Sequence, residues 1–357
     1  MGLKDPCMPD LPCHARNFFL ACFAVSLAQG QTIKGSMIRA TTVKKYLKAA
    51  YLLFEKRSIP FRSMLETDYI EIITKALDDY DEVKDRRHMI TDSMTRWLHK
   101  EARKHHRDSP LAATVDWILL GRYTGFRKSE WCQSSQDAFA RIDHWPGQPS
   151  LAIILSDFTF YDKHQRLVIL DAQTDTSVIH YVKIRWRHQK NGDNGEIIPF
   201  GKDTAHPKFC PVSAAIRIAL RALRLGVPAD EPIAVCSDAT GNRKFITDSG
   251  VTKVLRLSAA EALGIGKKDR SLKLWSTHSI RVTAANLLHR QQFSDSFIQT
   301  RLRWKSSSFL MYLQNTFYAA DQHKDLYIAD SCLPPKAERT YRAPEAHEQV
   351  AMAARAA

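Results

Sequence analysis

Apolar residues along the chain change their period at two places, and each change marks an element boundary. From Thr42 the stretch TVKKYLKAAYLLFEKR puts Val43, Tyr46, Leu47, Ala50, Tyr51 and Phe54 at helical spacing. Lys44, Lys45 and Lys48 fall on the opposite face, so the stretch predicts an amphipathic helix. Ile70, Ile73, Leu77 and Tyr80 make a second stripe after Thr67, and Ile90, Met94, Trp97 and Leu98 a third. The earlier apolar stretch at 17–28 is shorter than the about 20 residues of a membrane span and reads as part of a first helix. The N-terminal third is therefore expected to be helical. The polar run KHHRDSP at 104–110 ends it, because the residue before a proline is pushed toward extended backbone. A domain boundary is placed there, between residues 106 and 107.

Beyond it, 111–120 reads as an apolar helix, followed by a turn and another helix, and the pattern switches to strands from about residue 151. In Val182-Lys-Ile-Arg-Trp-Arg187 the apolar residues alternate with Lys183, Arg185 and Arg187, which predicts one core face and one basic face. Asn191-Gly-Asp-Asn-Gly195 has hairpin-turn chemistry and 196–200 reads as the returning strand, so Lys190 is expected at the hairpin tip. Helices resume at Pro211, a first-position proline, with Val212, Ile216, Ala219, Leu220 and Leu223 on one side and Gly226 as the stop. A further helix is expected over 249–263, with short-broken helix as far as Phe317. The expected fold class is mainly α with a small antiparallel β-sheet (α+β): a helical domain at 1–106 and a mixed α/β domain at 107–333. Residues 334–357, rich in Ala, Pro, Glu and Arg, are expected to form a disordered tail.

Composition adds a partner class. The 357 residues are 44% hydrophobic and 25% charged, an ordinary globular balance with room for two cores. A net charge of +14 points to a polyanion, either nucleic acid or an acidic membrane surface. No anchor or signal-peptide pattern is visible at the start of the chain. The seven cysteines are scattered and form no metal-ligand spacing, so reduced thiols in an intracellular protein are expected. Arg96, Lys100, Arg103 and Lys104, in and around the third stripe, are either a solvated face or, with Lys44, Lys45 and Lys48, a set of phosphate contacts.

Candidate chemistry lies in the second domain. Breaking a phosphodiester without a metal needs cations at the nonbridging oxygens, a nucleophile, and an acid for the leaving oxygen. Such types occur in Tyr123-Thr-Gly-Phe-Arg127-Lys-Ser-Glu130, in Thr277-His278-Ser-Ile-Arg281, and in Leu302-Arg-Trp304-Lys-Ser-Ser-Ser-Phe-Leu-Met-Tyr312. Singly, each block is common, and a lone histidine or arginine is more often a surface or capping residue. In this order, on a basic two-domain chain, the blocks resemble the catalytic core of the tyrosine recombinase (phage integrase) family. The first block is similar to that family's first arginine box, the second to its H-x-x-R box, and the third to its last box. Lys190 matches the family's β-hairpin lysine by position. The resemblance covers about residues 30 to 318, with the N-terminal helices similar to a core-binding domain.

The resemblance implies that Arg127 and Arg281 grip the scissile phosphate, that His278 helps deprotonate the nucleophile Tyr312, and that Lys190 protonates the departing 5′ oxygen. Trp304 completes the phosphate cradle and Glu130 steadies the first arginine. No metal, cofactor or small-molecule substrate is implied; the partners are double-stranded DNA and, on paired sites, a homotetramer, in the nucleus if the host is eukaryotic. Two departures stand out. Trp304 sits where histidine is commoner, and the gap from Trp304 to Tyr312 is one residue shorter than in most bacterial and phage members, which keeps Tyr318 open as an alternative nucleophile. The W-K-S-x-x-F-L-x-Y pattern is similar to recombinases of DIRS-like retrotransposons and Cryptons, which implies a mobile-element role in integration or excision. A type IB topoisomerase and an inactive, domesticated DNA-binding descendant are the rival readings.

Overall fold

The computed structural model describes residues 7–32, 35, 37–59, 68–80, 86–134, 150–189 and 192–313. The chain divides into two compact units, Met1–Asp85 and Arg86–Ala357. Lys190, Tyr318 and the tail from residue 334 lie outside the described residues. Among the described residues the protein is mainly helical with a small antiparallel sheet, in line with the expected fold class.

The first unit contains α1 (Cys13–Ala28), α2 (Ala40–Lys56) and α3 (Asp68–Tyr80). The stripe at Val43, Leu47, Tyr51 and Phe54 is buried against Leu20, Ala24 and Leu27 of α1 and Ile70 of α3, as its 3.6-residue period requires. Tyr46, expected on the same face, is instead exposed, since it lies between two turns of the buried stripe. Lys45 and Lys48 point to solvent, while Lys44 is tied to Asp78 of α3.

The second unit begins with α4 (Asp92–Ala102), so the two units meet in sequence at Asp85 and Arg86, whereas the sequence reading places its boundary at 106/107. The reason is packing: Ile90, Met94 and Leu98 are fully buried in one cluster with residues of α5 (Pro110–Thr124) and α7 (Asp248–Leu263). Ser109 caps α5 by accepting from the Ala112 N–H, Pro110 opens it, and Gly125 closes it with a left-handed φ of 58°. Every residue of α5 from Ala112 to Gly121 is buried, which makes it the central helix of the unit. Two others flank it, α6 (Pro211–Arg224) and α8 (His278–Arg290). At Gly121 the approach to α8 is so close that a Cβ would stand 2.4 Å from Ile280 Cγ2.

β1 (Phe158–Asp162), β2 (Leu167–Val168), β3 (Ile179–Arg185) and β4 (Ile197–Gly201) form an antiparallel sheet in the order β2-β1-β3-β4. Its buried face carries Phe158, Phe160, Val182, Ile184, Ile198 and Phe200, and Trp186 just beyond β3 joins them. The expected basic face exists, but Arg185 and Arg187 both donate at 2.8 Å to the buried carboxylate of Asp157, so that face is partly neutralised. A short hairpin, β5 (Val235–Ser237) with β6 (Arg243–Phe245), precedes α7. The helix expected soon after residue 120 is a single 3-10 turn at Lys128–Glu130, because Gly125 ends α5 and Glu130 folds back on Arg127. α9 (Asp295–Arg301) and a 3-10 segment at Ser307–Tyr312 complete the described chain.

Candidate active site

Three segments far apart in sequence converge at the C-terminal end of α5. The first is the loop after Gly125. Glu130, at the end of its 3-10 turn, accepts from the Arg127 N–H at 2.9 Å and from Arg127 Nη1 at 2.9 Å, which holds the guanidinium in place. Arg127 Nη2 also reaches the Arg303 carbonyl at 3.3 Å. The Arg127 side chain remains 23% exposed, so it is open to a ligand, whereas Glu130 is buried.

The second segment is the start of α8. Arg281 is buried one turn into the helix, where its Nη1 donates to the Gly125 carbonyl at 2.8 Å and its Nη2 to the Leu302 carbonyl at 3.1 Å. Its guanidinium lies 4.0 Å from the centre of the Trp304 ring. Burial first, and then the charges of Arg127 and Arg303, push the Arg281 pKa down to about 9, which still leaves it a cation at neutral pH. His278 opens the helix, and burial together with Arg281 and Arg87 lowers its pKa, which favours the neutral imidazole.

The third segment is 302–312. The Tyr312 ring sits 5.0 Å from the His278 ring and 5.0 Å from the Trp304 ring, and its carbonyl is held by Asn286 Nδ2 at 2.7 Å. The Tyr312 hydroxyl has no hydrogen-bond partner among the described residues, nor has the buried indole N–H of Trp304. Arg127, Glu130, His278, Arg281, Trp304 and Tyr312 are thus brought together, while Lys190 lies outside the described residues. Chemically the cluster is an anion cradle with a neutral imidazole and a phenol at its edge.

Four supporting residues escaped the sequence reading. Asp248, the first residue of α7, accepts from Lys128 Nζ at 2.7 Å and from Thr277 Oγ1 at 2.7 Å, which ties the arginine loop to the residue before His278. Burial works against its charge, but those two hydrogen bonds and the Lys128 charge outweigh it and lower its pKa. Trp186 donates its indole N–H to Glu130 at 3.3 Å, Asn286 anchors Tyr312, and Arg303 pairs with Glu130 at 3.0 Å. Arg303 lies inside the third sequence block, next to Trp304, but no local pattern marked it or the other three as supporting residues. The exposed cations Lys45, Lys48, Arg96, Lys100 and Arg103 have no ion pair among the described residues, and Lys104 pairs with Glu101 at 2.6 Å.

No protein-family model matches the chain, and no curated protein sequence matches it. Among solved structures it is similar to a lambda integrase dimer bound to a COC′ core site, at 15% identity over 87% of this chain and 82% of that one, with a TM-score of 0.44. It is similar to the Tn1549 transposon integrase in complex with circular intermediate DNA at 12% identity, over 87% and 84% of the two chains, with a TM-score of 0.44. The XerH site-specific recombinase bound to difH, in a pre-cleavage complex, is similar at 16% identity over 90% and 97%, with a TM-score of 0.39.

Proposed function

We propose that the chain is a tyrosine-type site-specific DNA recombinase that cleaves and rejoins strands through Tyr312. The observation that carries this reading is the convergence on one cradle of two arginines, a neutral histidine and a tyrosine from segments near 127, 278 and 312. In the reaction the Tyr312 oxygen attacks the scissile phosphorus, the P–O5′ bond breaks, and a 3′-phosphotyrosyl ester and a free 5′ hydroxyl result. Arg127 and Arg281 neutralise the charge that grows on the nonbridging oxygens, the guanidinium fork matching two oxygens at once. His278, kept neutral, accepts the phenol proton, and the Trp304 N–H donates to a phosphate oxygen. Lys190 protonates the leaving oxygen. Because the ester keeps the energy of the broken diester, a 5′ hydroxyl from another strand reverses the step without ATP.

Double-stranded DNA is the partner, bound through phosphate contacts from Lys44, Lys45, Lys48, Arg96, Lys100, Arg103 and Lys104, with four copies on paired sites. The role is integration or excision of a mobile element, carried out in the compartment that holds the host's DNA. No helix of the described residues is long and apolar enough to cross a membrane.

The test is a nicked suicide duplex carrying the element's ends, incubated with the protein or with Tyr312→Phe in the absence of metal and resolved on a denaturing gel. A protease-sensitive protein–DNA adduct on the wild type alone is the expected result. An adduct on both moves the nucleophile to Tyr318, and tight binding without any adduct makes the chain a DNA-binding descendant that no longer cleaves.

A further inference from the structure

Arg303 is unusual for an arginine in three respects. Its backbone takes a left-handed φ of 60°, which a side chain with a Cβ adopts reluctantly. Its guanidinium is buried, stacked 3.9 Å from the centre of the Trp186 ring, and its Nε and Nη1 have no partner among the described residues. Burying such a group is unfavourable unless an anion meets it. One does: Arg303 Nη2 donates to Glu130 Oε2 at 3.0 Å.

Glu130 explains why the fold keeps an arginine there. The same carboxylate takes the Arg127 N–H, Arg127 Nη1 and the Trp186 indole N–H. With Arg303 present, one negative charge is shared between two guanidiniums, and a full positive charge is left over. Without it, Glu130 neutralises Arg127 alone, and the more exposed of the cradle's two gripping arginines offers a phosphate no net charge. The Arg303 carbonyl, accepting from Arg127 Nη2 at 3.3 Å, fixes the direction of that guanidinium as well.

We propose that Arg303 is a positioning residue of the anion cradle, which compensates Glu130 so that Arg127 keeps its charge for the phosphate. The role rests on the phosphate-cleaving reading above, yet it makes a charge-balance claim that can be tested apart from cleavage. Arg303→Met, Arg303→Lys and the double variant Arg303→Met with Glu130→Gln are compared with the wild type in two measurements. One is the rate of adduct formation on the suicide duplex; the other is the affinity for inorganic sulfate by calorimetry. Arg303→Met is expected to lower both by at least about tenfold, the order of one charge-assisted contact. Glu130→Gln in that background restores most of the loss, because a neutral amide leaves Arg127 uncompensated.

A double variant as impaired as Arg303→Met overturns the proposal, since packing or direct phosphate contact by Arg303 gives no reason for rescue. If Arg303→Met does not melt cooperatively, Arg303→Lys decides. An ammonium reaching Glu130 should hold sulfate affinity within about threefold, and a tenfold loss in a folded protein sinks the idea. A wild type that binds sulfate but forms no adduct removes the recombinase reading, while the sulfate series still judges Arg303.

Discussion

His278 is held among cations before any substrate arrives, and its protonation state is the first consequence. Burial, then Arg281 and Arg87, hold its pKa below the ordinary 6.5, so the native protein keeps it neutral at pH values where the unfolded chain protonates it. Between those two pKa values the unfolded state binds the extra proton, so stability rises with pH there and is lost as pH falls below 6.5. His99 behaves alike, through burial and the charges of Arg217, Arg103 and Lys208, and shares the effect. Denaturant titrations from neutral to mildly acidic pH should therefore show a slope that His278→Asn reduces without abolishing. The adduct-forming rate should fall on the acid side with a midpoint below 6.5; a midpoint above it contradicts the proton-acceptor role. Asp248 makes a second residue-scale case. Asp248→Ala removes the tie between Lys128 and Thr277 and should cost about 1–2 kcal/mol in chemical denaturation, most of it from Thr277, because Lys128 is largely exposed.

At the scale of elements, the site is aimed by the junction of α5 with α8. Gly121→Ala forces a methyl group into Ile280 at 2.4 Å, and that overpacking should cost about 1–3 kcal/mol, more than the about 1 kcal/mol alanine gains in a helix interior. Thermal melts decide: an unchanged or raised midpoint means the two helices can separate freely. Elements with a clean period were legible in the sequence, namely the buried stripes of α2 and α4 and the alternation into Trp186. The helix α5 carries no such stripe because it is buried on all sides, so its apolar run gave a helix without a face. The placement of α4 with the second unit was illegible for a different reason. Its stripe shows that it is buried, not against what. Of the side chains that converge on the cradle, Arg127, Glu130, His278, Arg281 and Tyr312 were named in the sequence from their types and order, which match the chemistry proposed for them. Asp248, Trp186 and Arg303 act through partners distant in sequence, the nearest of them Thr277, 29 positions from Asp248, and no local pattern encodes such pairings.

For the whole molecule, the proposed partner, double-stranded DNA, makes a prediction of the +14 net charge: affinity should fall as salt rises. Not every cation contributes equally. Arg185 and Arg187 are held by Asp157, Lys44 by Asp78 and Lys104 by Glu101, so their charges are already partly met inside the fold. Lys45, Lys48, Arg96, Lys100 and Arg103 are exposed without an ion pair among the described residues, which leaves their charges available for the phosphates of the proposed duplex. Each of these five replaced by Gln should reduce the slope of log affinity against log salt by about one, if its side chain meets a phosphate. Lys44→Gln and Lys104→Gln should change the slope by less, because each frees a carboxylate as it removes a cation. Fluorescence anisotropy of a labelled duplex over a salt series measures both. Equal slope changes at paired and unpaired positions would mean that DNA breaks the internal ion pairs on binding, and the surface would then have to be read by total charge rather than by which charges the fold leaves uncompensated.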